Sequence, residues 1–493
     1  MRTAPVTTIL GLAAAAAVAL ALSTSLLHLK RKSNVLLITI DTLRADHLSC
    51  YGSTDVYTPV IDTLAAHAVL FEQAYADVTW TTPSMASVMT GLYAPKHGVR
   101  TSYQRLRQSV TTVAEYLRQA GFETGAIVAS FPLDSIFGLD QGFQTYDDTF
   151  TAPLSIDPEH PPSQRSVERV PSRFSDDTQE MMAMLFDKAT HDAYRPDNEV
   201  TDAAIRWLTT RHRHEPFFFW VHYFGPHEKP QTTSDVYEER RRQLAQYNPD
   251  VEMSDHEVGR LLKVIRDLGF MDRTAIILHA DHGQSLLEHD YFGHGRDIYD
   301  PSQRVPLIVR PSGGLATGMR VTRMVRNLDI MPTILALEGI EPRTTIDGRS
   351  LLPALTSSAI DVPEEIYVET YLSANFLFGE IIDPVNDVRL GYRRLGIRTS
   401  QWKYVVNDPA PFADVLNAPP ITDEVRRKYY SEELYDLASD PGELRNVIAS
   451  HRSLAAAFLE HVWEVQPRAA PTPEALPIGG TTRERLKSLG YVD

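Results

Sequence analysis

The sequence predicts an α/β protein, with a large parallel sheet covered by helices on both faces and, after it, a smaller antiparallel sheet with a helix. Three patterns carry that expectation. Up to Arg310, short apolar, β-branched runs recur without polar alternation, the mark of strands buried on both faces. Capped helical segments with glycine stops fall between them, and that alternation places helices on both sides of a parallel sheet. After Pro363 the runs alternate apolar and polar residues, as antiparallel strands with one exposed face do.

Taken in order, Val35–Ile40 is the first buried strand. Thr58 to Leu70 reads as an amphipathic helix, with Thr58 as cap and Pro59 at its first position. A helix from Thr81 to Thr90 is stopped by Gly91, and one from Thr112 to Gln119 is ended by Gly121. Gly125–Ala129 is the second buried strand. The polar, proline-containing stretch 148–197 is expected as an insertion over the sheet edge. Asn198–Arg211 is helical and Pro216–Phe224 (PFFFWVHYF) is an aromatic central strand. A helix over Glu252–Leu268 precedes the buried strands Thr274–His279 and Val305–Arg310. Asn327–Leu337 is a further helix. Tyr367–Thr370, Gly391–Thr399 and Trp402–Val406 read as antiparallel strands, and Leu444–Val465 as a helix. No internal repeat is visible. The resulting division is 1–33 as a leader with a basic flank, 34–362 as the main domain, 363–466 as the antiparallel subdomain, and 467–493 as a Pro-rich linker and tail.

Composition narrows the function. The chain has 493 residues, a net charge of −16 and one cysteine, Cys50, so multi-cysteine metal sites and internal disulfides are excluded. Four basic and no acidic residues fall in 1–33, so the remainder sums to −20. A body this acidic repels a phosphate backbone, and no nucleic-acid partner is expected. An anionic substrate then needs a local device, such as a metal ion or clustered histidines. From Thr3 to Leu29 there is no charged residue, a run long enough to span a bilayer. It reads as a retained single-pass anchor on the cell membrane, with the catalytic body on the extracytoplasmic (periplasmic) side. The alternative is a signal peptide cleaved near Ala19-Leu20-Ala21, giving a secreted protein. Lys30-Arg31-Lys32 opposes export under the positive-inside rule.

Two apolar strands finish in aspartate, at Ile40-Asp41 and at His279-Ala280-Asp281-His282. In parallel α/β sheets ligands gather beyond the carboxyl ends of the strands, so Asp41, Asp281 and His282 are expected on one edge. That set suits a divalent cation; either aspartate taken alone also reads as a cap of the turn that follows. Pro83 leaves Thr81 at the amino end of its helix, where free N–H groups favour an anion and a metal-bound hydroxyl becomes a usable nucleophile. Taken alone, Thr81 reads first as an ordinary N-cap.

Six blocks carry a resemblance: NVLLITIDTLRADHLSCYG, WTTPSMASVMTGLYAPKHGV, FFFWVHYFGPHEKP, DHEVGRLLKVIRDLGF, TAIILHADHGQSLLEHDYFGHGRDIYDPSQRVPLIVRP and ELYDLASDPGELRNV. In that order they resemble the sulfatase family of the alkaline phosphatase superfamily, from Asn34 to about His461. The resemblance implies a three-layer α/β domain with a mixed, mostly parallel sheet and a smaller antiparallel sheet with a helix. Four departures stand out. The family motif Cys/Ser-x-Pro-x-Arg, whose first residue is oxidised to formylglycine, reads Thr81-Thr82-Pro83-Ser84-Met85. The family's Gly-Lys-Trp-His-Leu-Gly block is replaced by Gly121–Leu133. Gly225 and Thr42 stand where relatives often have aspartate. What remains is similar to the threonine-nucleophile branch of the superfamily, nucleotide phosphodiesterases and lipid-A phosphoethanolamine transferases. That likeness implies one divalent ion (calcium, zinc, manganese or magnesium) held by Asp41, Thr81, Asp281 and His282. It also implies that His227 and His294 contact the substrate's sulfate or phosphate. Without it, His294 is a turn histidine, His227 a loop residue, His222 a core histidine, and His289 is ambiguous.

The expected function is a metal-dependent hydrolase of sulfate or phosphate esters through Thr81, with His294, or else His227, protonating the leaving group. Chemistry favours a phosphoester, because a sulfo-threonine must be cleaved by attack at sulfur; family position favours a sulfuric ester. The substrate would be a sulfated or phosphorylated glycan, lipid or small molecule. A membrane-anchored phospho-group transferase and a non-catalytic binding protein are the alternatives.

Overall fold

The computed structural model describes residues 32–101, 104–152, 194–211, 215–227, 236–314, 318–355, 364–371, 382–383, 388–411, 423, 427 and 430–466. The expected leader up to residue 31, most of the insertion over 148–197, and the linker and tail from 467 lie outside the described residues. Among the described residues, no helix is long and apolar enough to cross a membrane.

The main sheet has eight strands: β1 (Asn34–Ile40), β2 (Val69–Tyr75), β3 (Glu123–Ile127), β4 (Thr145–Asp147), β5 (Phe217–Tyr223), β6 (Thr274–His279), β9 (Arg304–Arg310) and β10 (Met319–Arg326). Between β6 and β9, a two-stranded ribbon joins β7 (Ser285–Leu286) to β8 (Phe292–Gly293). The strand order across the sheet is β10-β2-β9-β6-β1-β5-β3-β4. β9 runs antiparallel to both its neighbours and every other pairing is parallel, so the sheet is mixed and mostly parallel. β1 lies at its centre, with every residue buried, as the run NVLLITI demands of a strand covered on both faces. The second sheet is antiparallel, β11 (Glu365–Tyr371), β13 (Val388–Thr399), β14 (Trp402–Pro411) and β15 (Ser431–Asp436), with β12 (Ile382–Asp383) pairing β13. The Arg452–Val465 helix packs Phe458 and Val462 against Tyr404, Val406 and Leu395 of this sheet.

Three expected helices change length. The helix expected over Thr58–Leu70 stops at Ala66, and Val69–Tyr75 is strand β2. The apolar spacing runs on through Ala68 and Val69, but Val69, Leu70 and Phe71 pair with both β9 and β10, and sheet pairing outweighs the helical pattern. The helix expected at Glu252 begins at Val236 and passes through Pro249. Its amino-terminal half is charged, so no apolar stripe announces it. The last helix begins at Arg452 rather than Leu444. Asn446 Oδ1 accepts from the backbone of Leu434 and Ile448, at 3.1 and 3.0 Å, and holds that stretch as a loop against β15.

An ion cluster joins the two sheets. The Asp300 carboxylate accepts from Arg398 Nη2 and Lys403 Nζ, each at 2.8 Å, and Lys403 also pairs with Glu443 at 2.8 Å. The two cations hold Asp300 well below the usual carboxylate range. Removing one partner of a buried pair leaves charge uncompensated and costs about 3–5 kcal/mol. Asp300→Ala is therefore expected to lower the melting temperature sharply, whereas Asp300→Asn, which keeps one acceptor, lowers it less; thermal denaturation checks both.

Candidate active site

β1 pairs with β6 in parallel register, Thr39 opposite His279, so the residues that follow each strand leave the sheet at the same edge. There Asp41, Asp281 and His282 bring one ligand atom each within 4.8 Å of the others, and all three side chains are buried. His282 Nε2 stands 3.4 Å from Asp281 Oδ2 and 4.0 Å from Asp41 Oδ1. The ring's other nitrogen, Nδ1, is 2.9 Å from the Gly283 carbonyl, which can only accept, so Nδ1 carries the proton and Nε2 presents its lone pair to the carboxylates. Asp281 Oδ2 is buried with no hydrogen-bond partner among the described residues. Two carboxylates and an imidazole lone pair that converge in a buried space fit a divalent cation.

Backbone contacts fix these side chains. Asp281 Oδ1 accepts from the amides of His282 and Thr42, at 2.9 and 3.2 Å. Thr42 reaches that position with φ 57°, a left-handed conformation costly for a β-branched residue and concentrated at functional sites. Asn327 Nδ2 donates to the carbonyls of Ala280 and Asp281, both at 2.9 Å, and Ser84 Oγ donates to Asp281 O at 2.6 Å. Asn327 and Ser84 were not expected from the sequence; nothing in their local pattern distinguishes them from cap or surface residues.

Thr81 is the first residue of the Thr81–Thr90 helix, and Trp80 is its cap, with no side-chain capping bond. The ordinary N-cap reading of Thr81 therefore does not hold. Its hydroxyl turns to the carboxylate cluster, with Oγ1 3.3 Å from His282 Nε2. Met85, which stands at the family's arginine position, is buried in the apolar core. Gly225 has φ 58°, and a Cβ there would lie 2.6 Å from Ile40 Cγ2, so aspartate has no room in this backbone.

His294 and His227 face one another, Nε2 to Nε2, at 3.1 Å. The His294 ring lies 4.6 Å from that of His282 and is met by the edge of Trp80 at 5.3 Å. Desolvation, with His282 and His227 close by, holds His294 well below the usual histidine value. His222 is fully buried, and its Nε2 is 3.8 Å from Asp41 Oδ2. His289 stacks on Tyr299 at 3.8 Å, in the ribbon turn and outside the carboxylate cluster.

Comparison with known proteins agrees with this layout. The family described as Sulfatase matches residues 33–340, well over half of the chain. The chain belongs to the sulfatase family. A second family, described as N-sulphoglucosamine sulphohydrolase, C-terminal, matches residues 287–407. Arylsulfatase A of Homo sapiens is 26% identical over 489 residues, covering 92% of this chain and 90% of its own. Among solved structures, the phosphonate monoester hydrolase of Agrobacterium radiobacter superposes with a TM-score of 0.64 at 20% identity, covering 88% of this chain and 95% of that one. A protein solved in complex with its substrate D-glucosamine-2-N,6-O-disulfate superposes with a TM-score of 0.62 at 20% identity, covering 88% and 98%. The eight-stranded mixed sheet and the smaller antiparallel sheet match that fold. The chain is a sulfatase-like hydrolase acting on ester bonds.

Proposed function

We propose that the chain is a metal-dependent hydrolase of phosphate or sulfate esters in which Thr81 is the nucleophile and phosphoesters are the favoured class. The observation that carries this reading is the Thr81 hydroxyl, which leaves its helix uncapped and lies 3.3 Å from the nitrogen that His282 presents to Asp41 and Asp281. When bound by Asp41, Asp281, His282 and Thr81, a divalent cation supplies Lewis acidity that lowers the pKa of a neighbouring hydroxyl and offsets charge on the ester.

The chain's own residues do the rest. The free N–H groups at the start of the Thr81–Thr90 helix favour an anion there. Thr81 Oγ1 bonds to phosphorus as the ester bond on the opposite side breaks, and its proton passes to solvent. The His227–His294 pair, with one N–H between two facing nitrogens, relays a proton to the leaving oxygen: one ring gives up an N–H as the other takes a proton from solvent. Water then attacks phosphorus and cleaves the threonine ester, leaving its hydroxyl on the phosphate and returning a proton to Thr81. Phosphoesters are favoured because a sulfo-threonine can turn over only through attack at sulfur. Hydrolysis of a phosphorus ester also accords with the phosphonate monoester hydrolase among the fold's neighbours. The uncharged run Thr3–Leu29 suggests a membrane-anchored or exported enzyme.

Release of p-nitrophenol from p-nitrophenyl phosphate, bis-p-nitrophenyl phosphate and p-nitrophenyl sulfate tests the reading. Activity that follows bound metal and is highest on a phosphate ester is expected; a labelled acceptor without free product would indicate transfer instead. His294→Ala is expected to lower kcat by about 10²–10⁴-fold on an alkyl ester, whose leaving oxygen needs a proton. On a p-nitrophenyl ester the loss is smaller, and the ratio of the two losses is the measurement.

A further inference from the structure

Three histidines lie close together where β1, β5 and β6 end, and two of them have hydrogen-bond partners. His279 takes a contact from Thr39 Oγ1 at 2.9 Å and another to the Ala280 carbonyl at 2.9 Å. Thr39 in turn accepts from Trp220 Nε1 at 3.0 Å. His282 is held through Gly283 O and directs its other nitrogen at the carboxylates. His222 differs. It is 0% exposed, yet neither Nδ1 nor Nε2 has a hydrogen-bond partner among the described residues. A buried imidazole without partners costs folding free energy, so the position calls for a reason beyond packing.

The geometry supplies one. His222 pairs with Thr39 in the sheet register, two residues before Asp41. Its Nε2 faces Asp41 Oδ2 at 3.8 Å, while the other oxygen of that carboxylate, Oδ1, faces His282 Nε2 at 4.0 Å. The Asp41 carboxylate thus lies between two imidazoles, with one oxygen toward the candidate cation ligands and one toward His222. At 3.8 Å the His222 contact is longer than a hydrogen bond, so the bond proposed below requires the two side chains to draw together. His222 lies outside the set of ligand atoms that all approach within 4.8 Å, so it is placed behind Asp41 rather than among the ligands.

We propose that His222 is a positioning residue of the cation site: its Nε2–H donates to Asp41 Oδ2 and holds the carboxylate with Oδ1 turned toward Asp281 and His282. This rests on the metal reading above. Residues that orient a metal ligand through such a bond are worth about 10–100-fold in metal affinity. A residue that only fills the core is not.

The test is metal affinity of the full chain, measured by competition of Zn²⁺ and of Mn²⁺ against a chelator, together with thermal denaturation of the chelator-treated protein. His222→Leu is expected to weaken binding about 10–100-fold, while the chelator-treated variant melts at or above the wild-type temperature because an unpartnered imidazole has been removed. His222→Gln, which retains an N–H donor, is expected to recover most of the affinity. Wild-type affinity in His222→Leu would overturn the positioning role and leave the metal reading standing. Equal loss in Leu and Gln variants, with a lowered melting temperature, would make His222 a packing residue and also overturn the proposal. A wild-type chain that binds neither ion, no better than Asp281→Ala, would overturn the metal reading and the inference with it.

Discussion

Thr81→Ala is expected to lower turnover by about 10⁴-fold or more, the scale on which removal of a covalent nucleophile acts, even with metal in excess, where Asp41, Asp281 and His282 still hold the cation and the melting temperature stays near wild type. Thr81 begins its helix without capping it, so removing the hydroxyl breaks no helix-stabilising bond. The main-chain fold around it is held by other residues: Ser84 N donates to Trp80 O at 3.0 Å, and Ser84 Oγ ties the helix to Asp281 O. Thr81→Ser, which retains the hydroxyl, is expected to keep part of the activity. Thr81→Val, which is isosteric but lacks the hydroxyl, should behave like alanine. Steady-state rates on the best p-nitrophenyl ester, with metal content determined on the same samples, separate a lost nucleophile from a lost cofactor.

Removal of the cation is expected to have the second large effect. Asp41 and Asp281 are buried with their ligand atoms within 4.8 Å of each other, an arrangement of two acidic groups that is costly without a compensating charge. Chelation should therefore abolish activity and lower the melting temperature together. A ligand present at 100 times its dissociation constant stabilises the folded state by about 2.7 kcal/mol, and chelation should remove about that much. Asp281→Asn deletes one carboxylate charge and a ligand oxygen. It is expected to be inactive at low metal concentration, to melt above the chelated wild type, and to show little further change on chelation. Differential scanning calorimetry with and without added Zn²⁺ or Mn²⁺ checks the sign of each shift.

Much of this site is legible in the chain because strand ends are legible. The runs VLLITI and TAIILH are apolar without interruption, so they mark central strands, and the residues just after such strands share one edge of a parallel sheet. That reasoning reaches Asp41, Asp281 and His282. It does not reach Asn327 or Ser84, which act through backbone carbonyls and are brought in from distant segments by the folded chain. His222 was visible only as a histidine in an aromatic strand; its meaning depends on the register that sets it beside Thr39 and turns its ring to Asp41. Strands β10 and β15 escaped because MRVTRMVR and SEELYD carry too many charged residues to read as buried runs, and both owe their existence to pairing with a neighbour. The helix that overran into β2 failed for the converse reason, a helical spacing overridden by two sheet partners.

The lone cysteine bears on mechanism as well. Cys50 lies in the short turn Ser49–Tyr51, where burial and the nearby Asp62 push its thiol up to about 12, so it stays a protonated and unreactive group at neutral pH. The position that family members fill with a cysteine or serine to be oxidised belongs to Thr81, whose oxidation could not give an aldehyde. In the mechanism proposed above, the intermediate is therefore a covalent threonine ester. Rapid acid quench of the enzyme during turnover of a phosphate ester, followed by high-resolution mass spectrometry of the peptide that contains Thr81, tests this most directly. A phosphoryl adduct on Thr81 that appears and decays at the rate of turnover is the predicted result. An adduct on another residue, or full turnover by Thr81→Ala, would contradict it.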